Sequence, residues 1–88
     1  MINWAETPAS QYPALKGLEK LKKRWRKGNY SESIFYDRKK KLYYHKDPLH
    51  GEIEVYDKRG CHKGVILPTG EVHPFKGQVP SRTIKGLI

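Results

Sequence analysis

Pro13-Ala14-Leu15-Lys16-Gly17-Leu18-Glu19-Lys20-Leu21-Lys22-Lys23-Arg24-Trp25-Arg26-Lys27-Gly28 is the stretch on which the fold class turns. Leu15, Leu18, Leu21 and Trp25 recur at spacings of three and four, which predicts one apolar stripe on an amphipathic helix over residues 13–27. Pro13 suits a first-turn position and Gly28 a C-terminal cap, so both ends are signalled. Lys16, Lys20, Lys23 and Lys27 fall on the opposite side. Such a face is ordinarily just solvated, but Lys22, Lys23, Arg24, Arg26 and Lys27 together also form a candidate contact for the phosphates of a polyanion.

Downstream the pattern changes period. Ser33–Tyr36 is a short β-prone run, and Asp37-Arg38-Lys39-Lys40 reads as a turn leading into Lys41–His45, so the two runs pair as a hairpin. Residues 50–57 alternate, with His50, Glu52, Glu54 and Tyr56 on one face and Ile53 and Val55 on the face expected to meet the core. Lys58-Arg59-Gly60 and Pro68-Thr69-Gly70 are turns around a strand over residues 61–67, and residues 71–75 read as a last hairpin arm. Residues 1–12, with Pro8 and no apolar period, read as an irregular arm before a single domain over residues 13–88. The expected fold class is α+β, with an N-terminal helix packed on a highly twisted antiparallel sheet of four to five strands.

The composition narrows the function. At 88 residues and 36% hydrophobic content the chain has a thin core, and ten of its residues are Trp, Tyr or Phe. Its single cysteine, Cys61, forms no internal disulfide. No apolar run approaches the roughly 20 residues of a membrane span, and MINWAETPASQYP has no basic segment followed by an apolar one, so neither a membrane anchor nor a signal peptide is expected. The net charge is +9, unevenly spread: residues 1–46 hold twelve Lys/Arg against four acids, residues 47–88 six against five. The first half is suited to attract a polyanion, and interleaved tyrosines favour nucleic acid over an anionic membrane.

Against that charge, Asp47-Pro48-Leu49-His50-Gly51-Glu52-Ile53-Glu54 places four acid–base groups in eight residues. Carboxylates repel a polyphosphate, and proton transfer on the bound ligand is the economical reason for them. On an ideal strand His50 and Glu52 have Cα atoms about 6.6 Å apart and His50 and Glu54 about 13 Å, so the outer pair can flank a phosphodiester but not bond to each other. Gly51 offers a bulge that shortens the span. This suits cleavage by the 2′-hydroxyl of RNA. One group removes its proton, another protonates the departing 5′-oxygen, and a cation stabilises the charge on phosphorus. No metal or other cofactor is required, because the nucleophile is already tethered beside phosphorus. Glu54 is the preferred base, His50 the acid, and Asp47 its orienting partner. Cys61, His62 and His73 lack zinc-like spacing, and His62 is expected at the surface. His45 is expected to face solvent or pack.

The residues His50-Gly51-Glu52-Ile53-Glu54, with an aspartate three positions before the histidine, resemble the core motif of the ribosome-inactivating nuclease domain of E-group colicins and cloacins. Gly60-Cys61-His62-Lys63-Gly64, Pro68-Thr69-Gly70 and the basic end from Pro80 to Lys85 resemble its later segments, and Lys23-Arg24-Trp25 a shorter upstream element. The resemblance implies a small basic toxin that cuts small-subunit (16S) ribosomal RNA once, in the decoding site, and is neutralised by an acidic immunity protein. It implies that Asp47, His50, Glu54 and Arg82 are catalytic, with Glu52 supporting them and Arg82 clamping the phosphate. Lys85 joins the candidate RNA contacts. From Trp25 to Asp47 the chain is longer than the family spacing, adding a hairpin over residues 33–45, and the glycine-rich basic approach is absent.

Three classes stay open at this point: an rRNA-cutting toxin, an mRNA-cutting ribonuclease of the toxin–antitoxin kind, and a non-catalytic basic module that binds RNA or ribosomes. The expected partners are the ribosome and an acidic immunity protein or antitoxin, with the toxin itself monomeric and no membrane partner. Its expected place of action is the bacterial cytoplasm, reached either as part of a larger secreted protein or as an intracellular toxin.

Overall fold

A computed structural model describes all 88 residues. Five strands form one antiparallel sheet in sequence order: β1 (Glu19–Lys27), β2 (Tyr30–Asp37), β3 (Leu42–Lys46), β4 (Ile53–Tyr56) and β5 (His62–Ile66). The remaining regular elements are 3-10 turns at Trp4–Glu6, Ala9–Gln11, Pro13–Leu15 and Lys85–Leu87. The expectation of an α+β fold with a helix over residues 13–27 is therefore corrected: the chain is a five-stranded antiparallel sheet without an α-helix.

The apolar stripe of residues 15–25 explains the difference. Leu15 and Leu18 pack with Tyr12, Phe35, Tyr44, Ile53 and Val55 on one side of the sheet. Leu21 and Trp25 pack with Ile34, Tyr56 and Ile84 in a second cluster. A helix would hold all four on one stripe. Here the chain leaves the Pro13–Leu15 turn, reverses at Gly17 (φ +81°) and enters β1. The spacing from Leu21 to Trp25 is four, an even number, which suits one face of a strand as well as one face of a helix. Pairing with β2 settles the matter: Arg24↔Ser33 through Lys27↔Tyr30 are in register across a turn at Gly28-Asn29, and a bulge lies between Lys20 and Arg24. The exposed lysines of this edge strand also discourage edge-to-edge pairing with other chains.

The strand expected from residue 50 starts at Ile53 instead, and Asp47 to His50 form a turn between β3 and β4. Carboxylate Oδ1 of Asp47 accepts the N–H groups of Leu49 (2.9 Å) and His50 (3.3 Å), and the Asp47 carbonyl accepts that of Gly51 (2.8 Å). The segment of residues 4–15 lies against this turn. Buried Lys46 donates to the carbonyls of Ala5 (2.8 Å) and Thr7 (2.6 Å), and the hydroxyl of buried Tyr12 donates to that of Trp4 (2.5 Å). At the far end of the chain, Ile84 fills the second cluster, its N–H bonded to the Gly60 carbonyl at 2.9 Å. Full burial of each such large side chain contributes about 1.5–3 kcal/mol, so both ends of the chain hold the sheet together.

Candidate active site

A cavity of about 260 Å3 opens where β3, β4, the β3–β4 turn and the C-terminal segment meet. Asp47, His50, Glu54 and Arg82 all reach it, although Arg82 is 28 residues from Glu54. His45 and Tyr56 form its floor, while Trp25, Lys27 and Tyr30 come from the β1–β2 hairpin.

Asp47 and His50 form a pair. Their contact, Oδ2 to Nδ1, is 2.7 Å, and an ionised carboxylate only accepts, so Nδ1 carries the proton and Nε2 is left for a ligand. Partial burial pushes the Asp47 carboxyl up, but the His50 ring and the N–H groups of Leu49 and His50 outweigh it. The net shift is below the ordinary carboxylate value.

Glu54 is held from two sides. Arg82 Nη1 donates to Oε1, and His62 Nε2 lies 2.9 Å from the same oxygen. The Val79 N–H donates to Nδ1 of His62 (2.9 Å), so Nδ1 is the lone-pair nitrogen and Nε2–H is the donor to Glu54. Burial lowers the His62 pKa, only partly offset by the Glu54 charge, which agrees with this neutral tautomer. Both donors converge on Oε1. Oε2 has no protein partner and is not sealed from solvent, so it is the oxygen that meets a ligand. The remaining N–H groups of half-exposed Arg82 are likewise without protein partners.

His45 is fixed as firmly. The Lys46 carbonyl can only accept, so Nδ1–H donates to it (2.9 Å), and Nε2 accepts the Tyr56 hydroxyl (2.9 Å). Burial brings its pKa down to about 4. Its ring stacks on Trp25 with centroids 4.3 Å apart and planes at 15°, and lies near-parallel to Tyr56 at 5.4 Å.

Glu52 lies outside the cavity. Its carboxylate bonds Lys76 Nζ (2.6 Å) and His73 Nε2 (2.8 Å), which ties residues 73–76 to the start of β4. Asp47, His50 and Glu52 each present a ligand atom within 4.8 Å of one another, a spacing a cation could use. Their oxygens, however, already accept from His50, His73, Lys76 and two backbone N–H groups, so the cluster is satisfied as an ion-pair network. Of the basic residues singled out on residues 22–27, only Lys27 lines the cavity. Arg24 is engaged with Ser31 and Ser33 across the hairpin, and Lys22, Lys23 and Arg26 are exposed along β1. Lys85 is exposed in the last 3-10 turn.

One histidine differs from its sequence reading, and for a second the structure selects packing over solvent. His62 is fully buried against Glu54 rather than at the surface, and His45 is a buried member of the cavity floor. His62 opens β5, and no local pattern marked its burial against Glu54. Nothing local marked His45, whose burial depends on Trp25.

A buried carboxylate held by an arginine shares this cavity with an aspartate–histidine pair, an arrangement of the class suited to acid–base cleavage of a phosphodiester. The family model described as Cytotoxic matches residues 6–85. The chain therefore belongs to this family, the cytotoxic domain of E-group colicins and cloacins, which makes it a colicin-type toxin nuclease. Comparison with curated proteins returns no match.

Proposed function

We propose that this domain is an endoribonuclease that stops translation by cutting 16S ribosomal RNA in the decoding site, using the RNA's own 2′-hydroxyl as nucleophile. The observation that carries the reading is the arrangement of Glu54. Its Oε1 is occupied by Arg82 and His62, its Oε2 is unengaged, and the Asp47–His50 pair faces the same cavity.

Glu54 Oε2 takes the 2′-hydroxyl proton as that oxygen attacks phosphorus. The P–O5′ bond breaks, and His50 gives a proton from Nε2 to the leaving 5′-oxygen. The products are a 2′,3′-cyclic phosphate and a free 5′-hydroxyl. Asp47 holds the imidazole and stabilises its charged form before the transfer. The free N–H groups of Arg82 meet the non-bridging oxygens, where charge accumulates. Glu52 supports the site through residues 73–76. Exposed Lys22, Lys23, Arg26 and Lys85 attract the rRNA backbone at longer range, and Lys27 acts at the cavity itself. The same charge suits an acidic immunity protein or antitoxin. Action in the bacterial cytoplasm follows from the substrate.

The test is incubation with intact 70S ribosomes, followed by mapping of RNA ends. One cut near the 3′ end of the small-subunit RNA is expected, with its rate reduced about 10²–10⁴-fold in Glu54→Gln, the span general acid–base groups contribute. Cuts in messenger RNA at codons, or binding without any cut, would replace this reading.

A further inference from the structure

The cavity has two chemically different walls, and the mechanism above uses one of them. Asp47, His50, Glu54 and Arg82 handle protons and phosphate. The β1–β2 hairpin contributes Lys27, which only attracts the RNA backbone, and Trp25 and Tyr30, which have no part in that chemistry. Packing in the Ile34–Tyr56–Ile84 cluster accounts for the presence of Trp25. It does not account for Tyr30, which belongs to neither core cluster and is 44% exposed at the cavity wall. Tyr30 is also the cross-strand partner of Lys27. A flat ring beside an ammonium group, at the edge of a phosphate-handling site, is the chemistry that recognises a single-stranded nucleotide.

His45 acts here as a support. Both of its ring nitrogens are engaged internally, so it offers a ligand no hydrogen bond, but it holds the Trp25 ring flat at 4.3 Å. It is also the register partner of Glu54, which puts the Trp25 stack on the Glu54 side of the cavity. Pro48 and Leu49 line the cavity beside His50. Glu54 takes its proton from the ribose on the 5′ side of the scissile bond, so the base of that same nucleotide is the one brought to the hairpin.

We propose that Trp25 and Tyr30 form a stacking subsite for the nucleobase on the 5′ side of the scissile bond, with Lys27 on a neighbouring phosphate. The proposal rests on the ribonuclease reading and adds a requirement to it: that nucleotide must be unpaired, because a base within a duplex has no free face to stack.

The test compares wild type, Tyr30→Ala and Tyr30→Phe in single-turnover cleavage of RNA carrying either a normal or an abasic nucleotide 5′ to the cut. On normal RNA, Tyr30→Ala should lose roughly 5- to 150-fold, the range for one stacked base, and Tyr30→Phe should stay near wild type. On abasic RNA, wild type and Tyr30→Ala should become equal. No loss in Tyr30→Ala, or the same loss on both substrates, overturns the subsite and leaves the ribonuclease reading standing. Failure of wild type to cut any RNA overturns that reading instead. The subsite is then decided by fluorescence in Trp4→Phe, which leaves Trp25 as the one remaining tryptophan. Quenching by normal but not abasic single-stranded RNA supports it, and no quenching, or equal quenching by both RNAs, overturns it.

Discussion

Oε1 of Glu54 is saturated by two donors while Oε2 is free, and that asymmetry shapes what single substitutions do. Arg82 gives one N–H to Glu54, and in the proposed mechanism the rest of its planar fork meets the phosphate. Lysine offers a point charge with no fork, so it serves one duty at a time. Arg82→Lys should therefore lower kcat by roughly 10²-fold or more, as removal of an oxyanion donor does. Ribosome affinity should change little, and single-turnover cleavage beside a binding titration checks both. Near-wild-type kcat would remove Arg82 from the transition state. At this scale the residues Asp47 to Glu54 were legible because the Asp47–His50 contact is local, three residues apart. The partners of Glu54 were not, since His62 and Arg82 come from 8 and 28 residues away.

Among the elements, the β3–β4 turn depends on the N-terminal segment that lies against it. Gly51 has φ +75°, and a Cβ built there would sit 2.6 Å from the backbone nitrogen of Ala5 and 2.8 Å from the carbonyl carbon of Trp4. Backbone cannot give way as a flexible side chain can. Gly51→Ala should cost about 2–4 kcal/mol from left-handed strain and overpacking together, read as a lower urea midpoint. It should also displace His50 and reduce cleavage, whereas unchanged stability would show that the segment shifts freely. The hairpins over residues 30–66 were readable because turn chemistry and alternation agree there, but the arm expected over residues 71–75 is reduced to a single bridge between Ile66 and Val72. β1 was not readable, because Leu15, Leu18, Leu21 and Trp25 satisfy a helical stripe, while the spacing of four from Leu21 to Trp25 suits one face of a strand equally well. The Gly28-Asn29 pair, a two-residue hairpin turn, was the local cue to the strand.

Over the whole molecule, two properties follow from charge and burial. The unfolded chain protonates His45 near 6.5, but in the fold burial holds its pKa down to about 4. Between those values the unfolded state binds more protons, so stability falls as pH drops from 6.5 towards 4, by about 3 kcal/mol for this group. His62 is shifted in the same direction and adds to the loss. The Asp47 contribution lies lower, present above the ordinary carboxylate value and lost as pH falls through its depressed folded value. Urea unfolding at a series of pH values should show this slope, and His45→Phe should flatten it; an equal slope in that variant would exclude His45 as the source. The second property is the +9 charge. It should make association with an acidic immunity protein fast at low salt and slower by an order of magnitude or more at high salt. A stopped-flow rate that ignores ionic strength would argue against electrostatic steering.

The sequence by itself determined the charge asymmetry, the acid–base cluster of residues 47–54 and the hairpin signals, because each depends on neighbours a few residues apart. The resemblance pointed to Arg82, which no local pattern marks. Tertiary structure alone decided that residues 19–27 are a strand, that His62 and Arg82 converge on Glu54, and that His45 is buried under Trp25. The physical reason is common to all three. A stripe compatible with two periods, or a polar side chain compatible with surface or interior, is settled by the partner that packs against it, and here those partners lie on distant strands and at the end of the chain.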